Sequence, residues 1–102
     1  MTEEKIYSEC DVKCIDDINY ITQEGMPITG IIREHYPSGA LLSEKRCING
    51  QLNGAAKYYS ETGNLVAETN YKNGMEDGIS RCYDEAGNLI EEITFKNGLP
   101  VF

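Results

Sequence analysis

Apolar and polar positions alternate along this chain in short runs separated by glycine-centred turns. In Gly78-Ile79-Ser80-Arg81-Cys82-Tyr83-Asp84, the side chains of Ile79, Arg81 and Tyr83 fall on one side of an extended segment, and those of Ser80, Cys82 and Asp84 on the other. Runs of this kind predict strands over 30–36, 40–48, 54–60, 64–72, 78–84 and 88–96. Loops this short leave only antiparallel pairing between neighbours.

The runs recur with a period of 24 residues. Gly30, Gly54 and Gly78 share one register with Gly39, Gly63 and Gly87 and with Gly50, Gly74 and Gly98. So do Leu41, Leu65 and Leu89; Glu44, Glu68 and Glu92; Arg33, Lys57 and Arg81; Cys47, Tyr71 and Phe95; and His35, Tyr59 and Tyr83. Asn-Gly at 49–50, 73–74 and 97–98, and Gly-Asn-Leu at 63–65 and 87–89, are turn signals that supply or tolerate positive φ. Each unit thus has two strands and two turns, with units at 25–49, 50–73 and 74–97 and a partial unit at 98–102.

The expected fold is all-β: a single-layer antiparallel β-meander of hairpin repeats, uniformly twisted and elongated along the repeat direction. Residues 1–24 break the period and form a degenerate N-terminal unit or cap. Within them Cys10, Val12 and Cys14, and Ile18, Tyr20 and Thr22, give weak strand patterns, with a short helix over 3–15 as the alternative. Pro100 partly protects the last strand edge from strand addition.

If Tyr59 pairs with Leu65 and Tyr83 with Leu89, one face collects Ile31, Ile79, Tyr59, Tyr83, Leu41, Leu65, Leu89, Tyr71, Ile93 and Phe95 and becomes the core or concave side. The same register sets Arg81 opposite Glu91 and puts the column Glu44, Glu68 and Glu92 on the other face, beside Tyr58 and Val66.

Composition narrows the function. Seventeen acidic residues against nine basic give a formal charge of −8, which repels phosphate backbones and anionic lipid headgroups and favours a basic protein partner. No run approaches the roughly 18 apolar residues of a membrane span, and the N-terminus lacks the features of a signal peptide, so a cytoplasmic location with reduced cysteines is expected.

Candidate chemistry is sparse. His35 stands in the column of Tyr59 and Tyr83 and reads as an aromatic-like filler, since no orienting partner for a base is identifiable. Cys10 and Cys14 are four apart, within the range of zinc-ligand spacings, but no second pair joins them; Cys47 and Cys82 read as small buried hydrophobes. Asp16 and Asp17 and the Glu44, Glu68 and Glu92 column suggest an acid–base pair or a calcium site less than a solvated acidic face. No glycine-rich turn carries Gly-Lys-Ser or Gly-Lys-Thr, so a nucleotide site has no support. No cofactor or metal is expected, and no enzymatic activity. The tyrosines Tyr58, Tyr59, Tyr71 and Tyr83 fit either sheet packing or a binding surface.

The segment Tyr71-Lys72-Asn73-Gly74-Met75-Glu76-Asp77-Gly78, followed by Tyr83 and Gly87-Asn88-Leu89, resembles the MORN-repeat variant pattern, in which Tyr-x-Asn-Gly-x-x-x-Gly leads into an aromatic strand and a Gly-x-Leu turn. The resemblance covers about residues 25 to 102 and is strongest in the second and third units. It implies a sheet of hairpins acting as an interaction scaffold, and small bacterial proteins with this variant are often assigned as antitoxins or immunity proteins. With the charge, it implies an antitoxin or immunity protein that neutralises a basic toxin or effector through Glu44, Glu68, Glu92, Asp77, Asp84 and Glu85, together with Tyr58, Tyr59 and Tyr83. The alternative is a structural scaffold that self-associates through its sheet edges.

Overall fold

A computed structural model describes residues 5–15 and 19–102. Among these described residues ten strands form: β1 (Ile6–Ser8), β2 (Val12–Ile15), β3 (Asn19–Thr22), β4 (Gly30–His35), β5 (Leu41–Ile48), β6 (Gln51–Tyr59), β7 (Leu65–Lys72), β8 (Met75–Tyr83), β9 (Leu89–Lys96) and β10 (Leu99–Val101). Eight of them make one sheet in the order β1-β4-β5-β6-β7-β8-β9-β10, and β2 pairs with β3 in a separate hairpin.

From β4 to β10 the sheet is the antiparallel meander that the glycine series implies. At one end, two-residue turns join β5 to β6, β7 to β8 and β9 to β10. Asn49, Asn73 and Asn97 there take φ of 48°, 51° and 50°, and the following glycines are also positive, the type I′ geometry whose twist matches that of the strands. At the other end the three loops share one backbone pattern. The amides of Tyr36, Ser60 and Asp84 bond to the carbonyls of Ala40, Asn64 and Asn88, and the amides of Gly39, Gly63 and Gly87 fold back on the carbonyls of Tyr36, Ser60 and Asp84.

Several expectations are corrected. The strands β6 and β8 begin at Gln51 and Met75, three residues before the glycines taken as their starts. Gly54 and Gly78 lie inside the strands at φ 101° and 102°, where the register slips between Lys45–Ala56 and Cys47–Leu52 and between Thr69–Ser80 and Tyr71–Glu76. Each antiparallel pair from β4–β5 to β8–β9 carries such an irregularity. Bulges bend strands and increase twist. The sheet is therefore coiled rather than a long ribbon, with principal extents of 40 × 35 × 31 Å.

Tyr59 pairs with Leu65 and Tyr83 with Leu89 as anticipated, but the next pairs are Tyr58–Ala67 and Cys82–Glu91, one residue out of step. Arg81 therefore faces Glu92, not Glu91. The slip also redistributes the faces. Tyr71, Ile93 and Phe95 lie on an inner face with Ile32, Ser43, Lys45, Cys47, Ala56 and Tyr58, and the glutamate column lies with Tyr59, Leu65 and Tyr83 on the outer face.

The core is on the inner face and at one end, not on the face that sequence alternation selected. Ile28, Ile32, Cys47, Leu52 and Ala56 are buried, and Tyr7, Val12, Tyr20 and Tyr71 pack around that cluster, whereas Ile79 and Leu89 on the outer face are exposed. The N-terminal segment provides the cover. Instead of a helix over 3–15 it forms strands over 6–8 and 12–15 with one short 3-10 turn at Glu9–Asp11 between them, and β1 joins the sheet parallel to β4, because the chain between them crosses through the β2–β3 hairpin. Gly30 permits this junction: a Cβ on it would sit 2.3 Å from the carbonyl oxygen of Lys5.

Candidate functional site

The charged columns cross the outer face as a ladder of alternating sign. The register aligns Arg33 with Glu44, Glu44 with Lys57, Lys57 with Glu68, Glu68 with Arg81, and Arg81 with Glu92. Arg33 Nε lies 2.8 Å from Glu44 Oε2, Lys57 Nζ 3.9 Å from Glu68 Oε2, and Arg81 Nε 2.6 Å from Glu92 Oε2. Pairs this exposed to solvent contribute little to stability, because water screens them. Their larger consequence is electrostatic. The glutamate column is interleaved with bases of equal number, so it is not a bare acidic face.

The surplus negative charge lies elsewhere. Residues 74–102 carry Glu76, Asp77, Asp84, Glu85, Glu91 and Glu92 against only Arg81 and Lys96. Four of the expected partner-binding residues, Tyr59, Tyr83, Asp84 and Glu85, come together where strands β6 and β8 run into their loops. Beside them the outer face carries Leu65, Val66, Leu89 and Ile90, the last two 51% and 68% exposed.

The two acids at this end differ in their freedom. Asp84 is committed to its turn: Oδ1 accepts the amides of Ala86 at 3.0 Å and Asn88 at 2.9 Å, and Oδ2 accepts Asn88 Nδ2 at 3.2 Å. The Asn88 amide, and then its side chain, hold the Asp84 carboxyl below its ordinary value. Glu85 instead reaches the neighbouring loop, where Asn64 Nδ2 donates to its Oε2 at 3.2 Å and to its carbonyl oxygen at 3.3 Å. A groove of about 370 Å³ lies between the two loops, lined by Asn64, Leu65, Tyr83, Glu85, Ala86 and Gly87.

The remaining expected residues lie apart from this end. Tyr58 is on the inner face, its ring centroid 5.6 Å from Lys45 Nζ. Asp77 is at the Asn-Gly end, where its Oδ2 accepts the Asn97 amide at 3.3 Å. Glu44 and Glu68 sit within the ladder, and Glu92 stands at its outer rung.

A polar cluster that sequence reading missed lies on the inner face. Ser43, fully buried, donates from Oγ to Glu34 Oε1 at 2.6 Å, and Lys45 Nζ lies 2.9 Å from the same oxygen. Burial works to raise the Glu34 carboxyl, but these two donors outweigh it and leave the group below its ordinary value. Three neighbours in the pairing register, Glu34, Ser43 and Lys45, were the available signal, legible only with the strand register in hand.

His35 does have a partner. Glu9 Oε2 lies 3.3 Å from His35 Nδ1, and Glu9 Oε1 accepts the His35 amide at 3.3 Å. With one carboxylate oxygen occupied by backbone, this pair tethers the N-terminal segment to the end of β4. Cys47 is buried, which pushes its thiol up to about 11, and Cys82 is half-buried. Cys10 and Cys14 are exposed. Asp16 and Asp17 lie outside the described residues. Among the described residues, no three His, Cys, Asp or Glu side chains are grouped to hold a metal ion, and no helix is long and apolar enough to cross a membrane.

Residues 52–73 and 76–97 each match the MORN repeat variant. The matched segments run from β6 through β7 and from β8 through β9, the hairpins that carry Tyr59, Tyr83 and the interloop groove. No curated protein and no solved structure matches the chain.

Proposed function

We propose that this chain is a non-catalytic protein-binding module of the antitoxin or immunity kind, which seats a basic protein on the outer face at the end formed by β8 and β9. The observation that carries the reading is the coincidence, at one end of an uncovered face, of exposed Leu89 and Ile90, the tyrosines Tyr59 and Tyr83, and the loop acids Asp84 and Glu85. Repeats of the matched family generally serve as protein-interaction and scaffold modules. An acidic surface with aromatic anchors suits an enzyme that handles nucleic acid, because the inhibitor gains on-rate and selectivity by presenting the charge of the substrate.

The ladder refines which charges matter. Glu44 and Glu68 each stand between two bases, so reversing them disturbs the sheet as much as any partner. Glu85, and Glu92 with a base on one side only, are exposed at the proposed end and are the ones to reverse, whereas Glu91 pairs with Cys82 on the inner face. Protein partners captured from the native host are tested for binding across a salt series, with the intact chain and with Glu85→Lys/Glu92→Lys. Affinity is expected to fall at least tenfold both between 50 and 300 mM salt and on charge reversal. Absence of a stable protein partner, or an affinity indifferent to both changes, removes the proposal.

A second reading, self-association, is favoured by one feature. β10 pairs only with Thr94–Lys96, leaving the outer edge of β9 from Leu89 to Ile93 unpaired within the described sheet. Antiparallel pairing of two such edges would bring Glu91 and Glu92 of the copies close together, which disfavours it. Light scattering across concentration separates the two readings.

A further inference from the structure

The three loops at the Tyr59 and Tyr83 end have the same backbone but differ in one side chain that decides whether the space between them is filled. Tyr36, the first residue of its loop, reaches across to the next hairpin, where its hydroxyl donates to the carbonyl oxygen of Tyr59 at 2.8 Å. One repeat later the position of Tyr36 is taken by Ser60. Its hydroxyl stays within its own loop, 2.9 Å from Thr62 Oγ1 and accepting the Asn64 amide at 3.2 Å. Ser60 is too short to reach the carbonyl of Tyr83, which is the counterpart of Tyr59, and it is beside Tyr83 that the open groove lies.

We infer that the groove between the loops 60–64 and 84–88 is a receptor for a tyrosine side chain supplied by a protein partner, its phenol donating to the Tyr83 carbonyl as Tyr36 does to Tyr59. The molecule contains the complex in miniature: the first interloop space holds its phenol in cis, and the second has the same frame without one. The walls suit the guest. Leu65, Ala86 and the Tyr83 ring offer apolar and aromatic contact, and the Glu85 carboxylate at the rim favours a donor over an acceptor. The second space also differs from the first in other side chains, with Glu61 and Thr62 where the first loop has Pro37 and Ser38, and Ala86 where the second loop has Thr62. Asn64 stands where the first loop has Ala40, and its amide spans to Glu85, so a guest must share the groove with that side chain.

As an account of what a partner contributes, this rests on the protein-binding reading; the affinity of the groove for a phenol does not, so the two fail separately. The probe is p-cresol, titrated into the ¹⁵N-labelled chain and followed by amide shifts, with toluene as the analogue that lacks the donor. Saturable shifts confined to Asn64, Leu65 and residues 83–87 are expected, with a Kd of roughly 1 to 20 mM, the range of a ligand this small. Toluene should bind about threefold to tenfold more weakly, the loss that goes with one hydrogen bond. Asn64→Ala keeps the shifts. Adding Ser60→Tyr to it recreates the Tyr36 and Ala40 pair, fills the groove in cis and abolishes them. Should that double variant lose its dispersed spectrum, Ala86→Leu closes the groove from the other wall and is expected to do the same. No saturable shift, equal binding of toluene, or shifts that persist when the groove is filled each overturn the inference.

Discussion

Replacing Ile32 and Ile79 by alanine, one at a time, asks which face of the sheet holds the core. Both are strand isoleucines, and sequence alternation alone selects the face of Ile79. In the structure Ile32 is 3% exposed and packs with Ile28, Cys47 and Leu52, whereas Ile79 is 37% exposed on the uncovered face. The change removes three carbons. At about 0.8 kcal/mol per buried methylene, Ile32→Ala loses about 2.4 kcal/mol of transfer free energy, and the cavity left in a cluster this small raises that to roughly 3 to 4. Ile79→Ala loses about 1 kcal/mol, because solvent already reaches the side chain and fills the gap. Against a total of about 5 to 15 kcal/mol for a chain of this size, the first loss is a large part of the whole. Urea unfolding followed by far-ultraviolet circular dichroism reads the difference. With a slope of about 1.5 kcal/mol/M, the midpoint should fall by about 2 M for Ile32→Ala and by under 1 M for Ile79→Ala. Equal shifts, or a larger one for Ile79→Ala, would refute the assignment of the faces.

Two further outcomes follow from the inner face. The Glu34 carboxyl lies below its ordinary value in the folded chain: burial opposes the charge, and the bonds from Ser43 and Lys45 more than compensate. Its contribution is therefore present above the unfolded carboxylate pKa of about 4.3 and lost as pH falls through and below it. Burial likewise opposes the charge of Lys45, but its bond to Glu34 prevails and raises its pKa, so the lysine contribution persists at neutral pH and fades only in strong alkali. Glu34→Gln should lower the urea midpoint at pH 7 and narrow the gap between pH 7 and pH 3.5; an unchanged gap would show that the cluster plays no part in acid sensitivity. For the thiols, Cys10 and Cys14 should react first with a disulfide reagent at pH 8, Cys82 more slowly, and Cys47 only on unfolding, since it is 1% exposed with its pKa pushed to about 11. Mass mapping of the labelled chain checks the order, and early labelling of Cys47 would contradict its burial.

Much of the fold was legible because the information is local. Asn-Gly and Gly-Asn-Leu encode their turns within two or three residues, and the turns fix both the hairpin spans and the Tyr59–Leu65 and Tyr83–Leu89 pairs. The face assignment was not legible, because it depends on a single unpaired residue beside each of these pairs. Val66 and Ile90 look like ordinary strand positions, yet they shift every later partner by one and exchange the faces. Gly54 and Gly78 misled in the opposite way, reading as strand starts although positive φ inside a bulge needs glycine just as a turn does. The N-terminal segment pairs in parallel across a long connection, and no local signal announces such a partner. At the candidate site, the turn residues Asp84 and Glu85 and the strand-end tyrosines were visible from the period alone. The separation of Tyr58 and Asp77 from them emerged only with the register.

The alternation of Arg33, Glu44, Lys57, Glu68, Arg81 and Glu92 also limits how such a protein can change in length. Every 24-residue module brings one cation and one anion to the row, so a tandem duplication or deletion of a whole module leaves the signs in phase and the net charge of the row at zero. Loss of a single strand would set two acids or two bases side by side in the middle of the sheet. The row thus acts as a parity check, tolerating growth by pairs of strands and penalising growth by odd numbers.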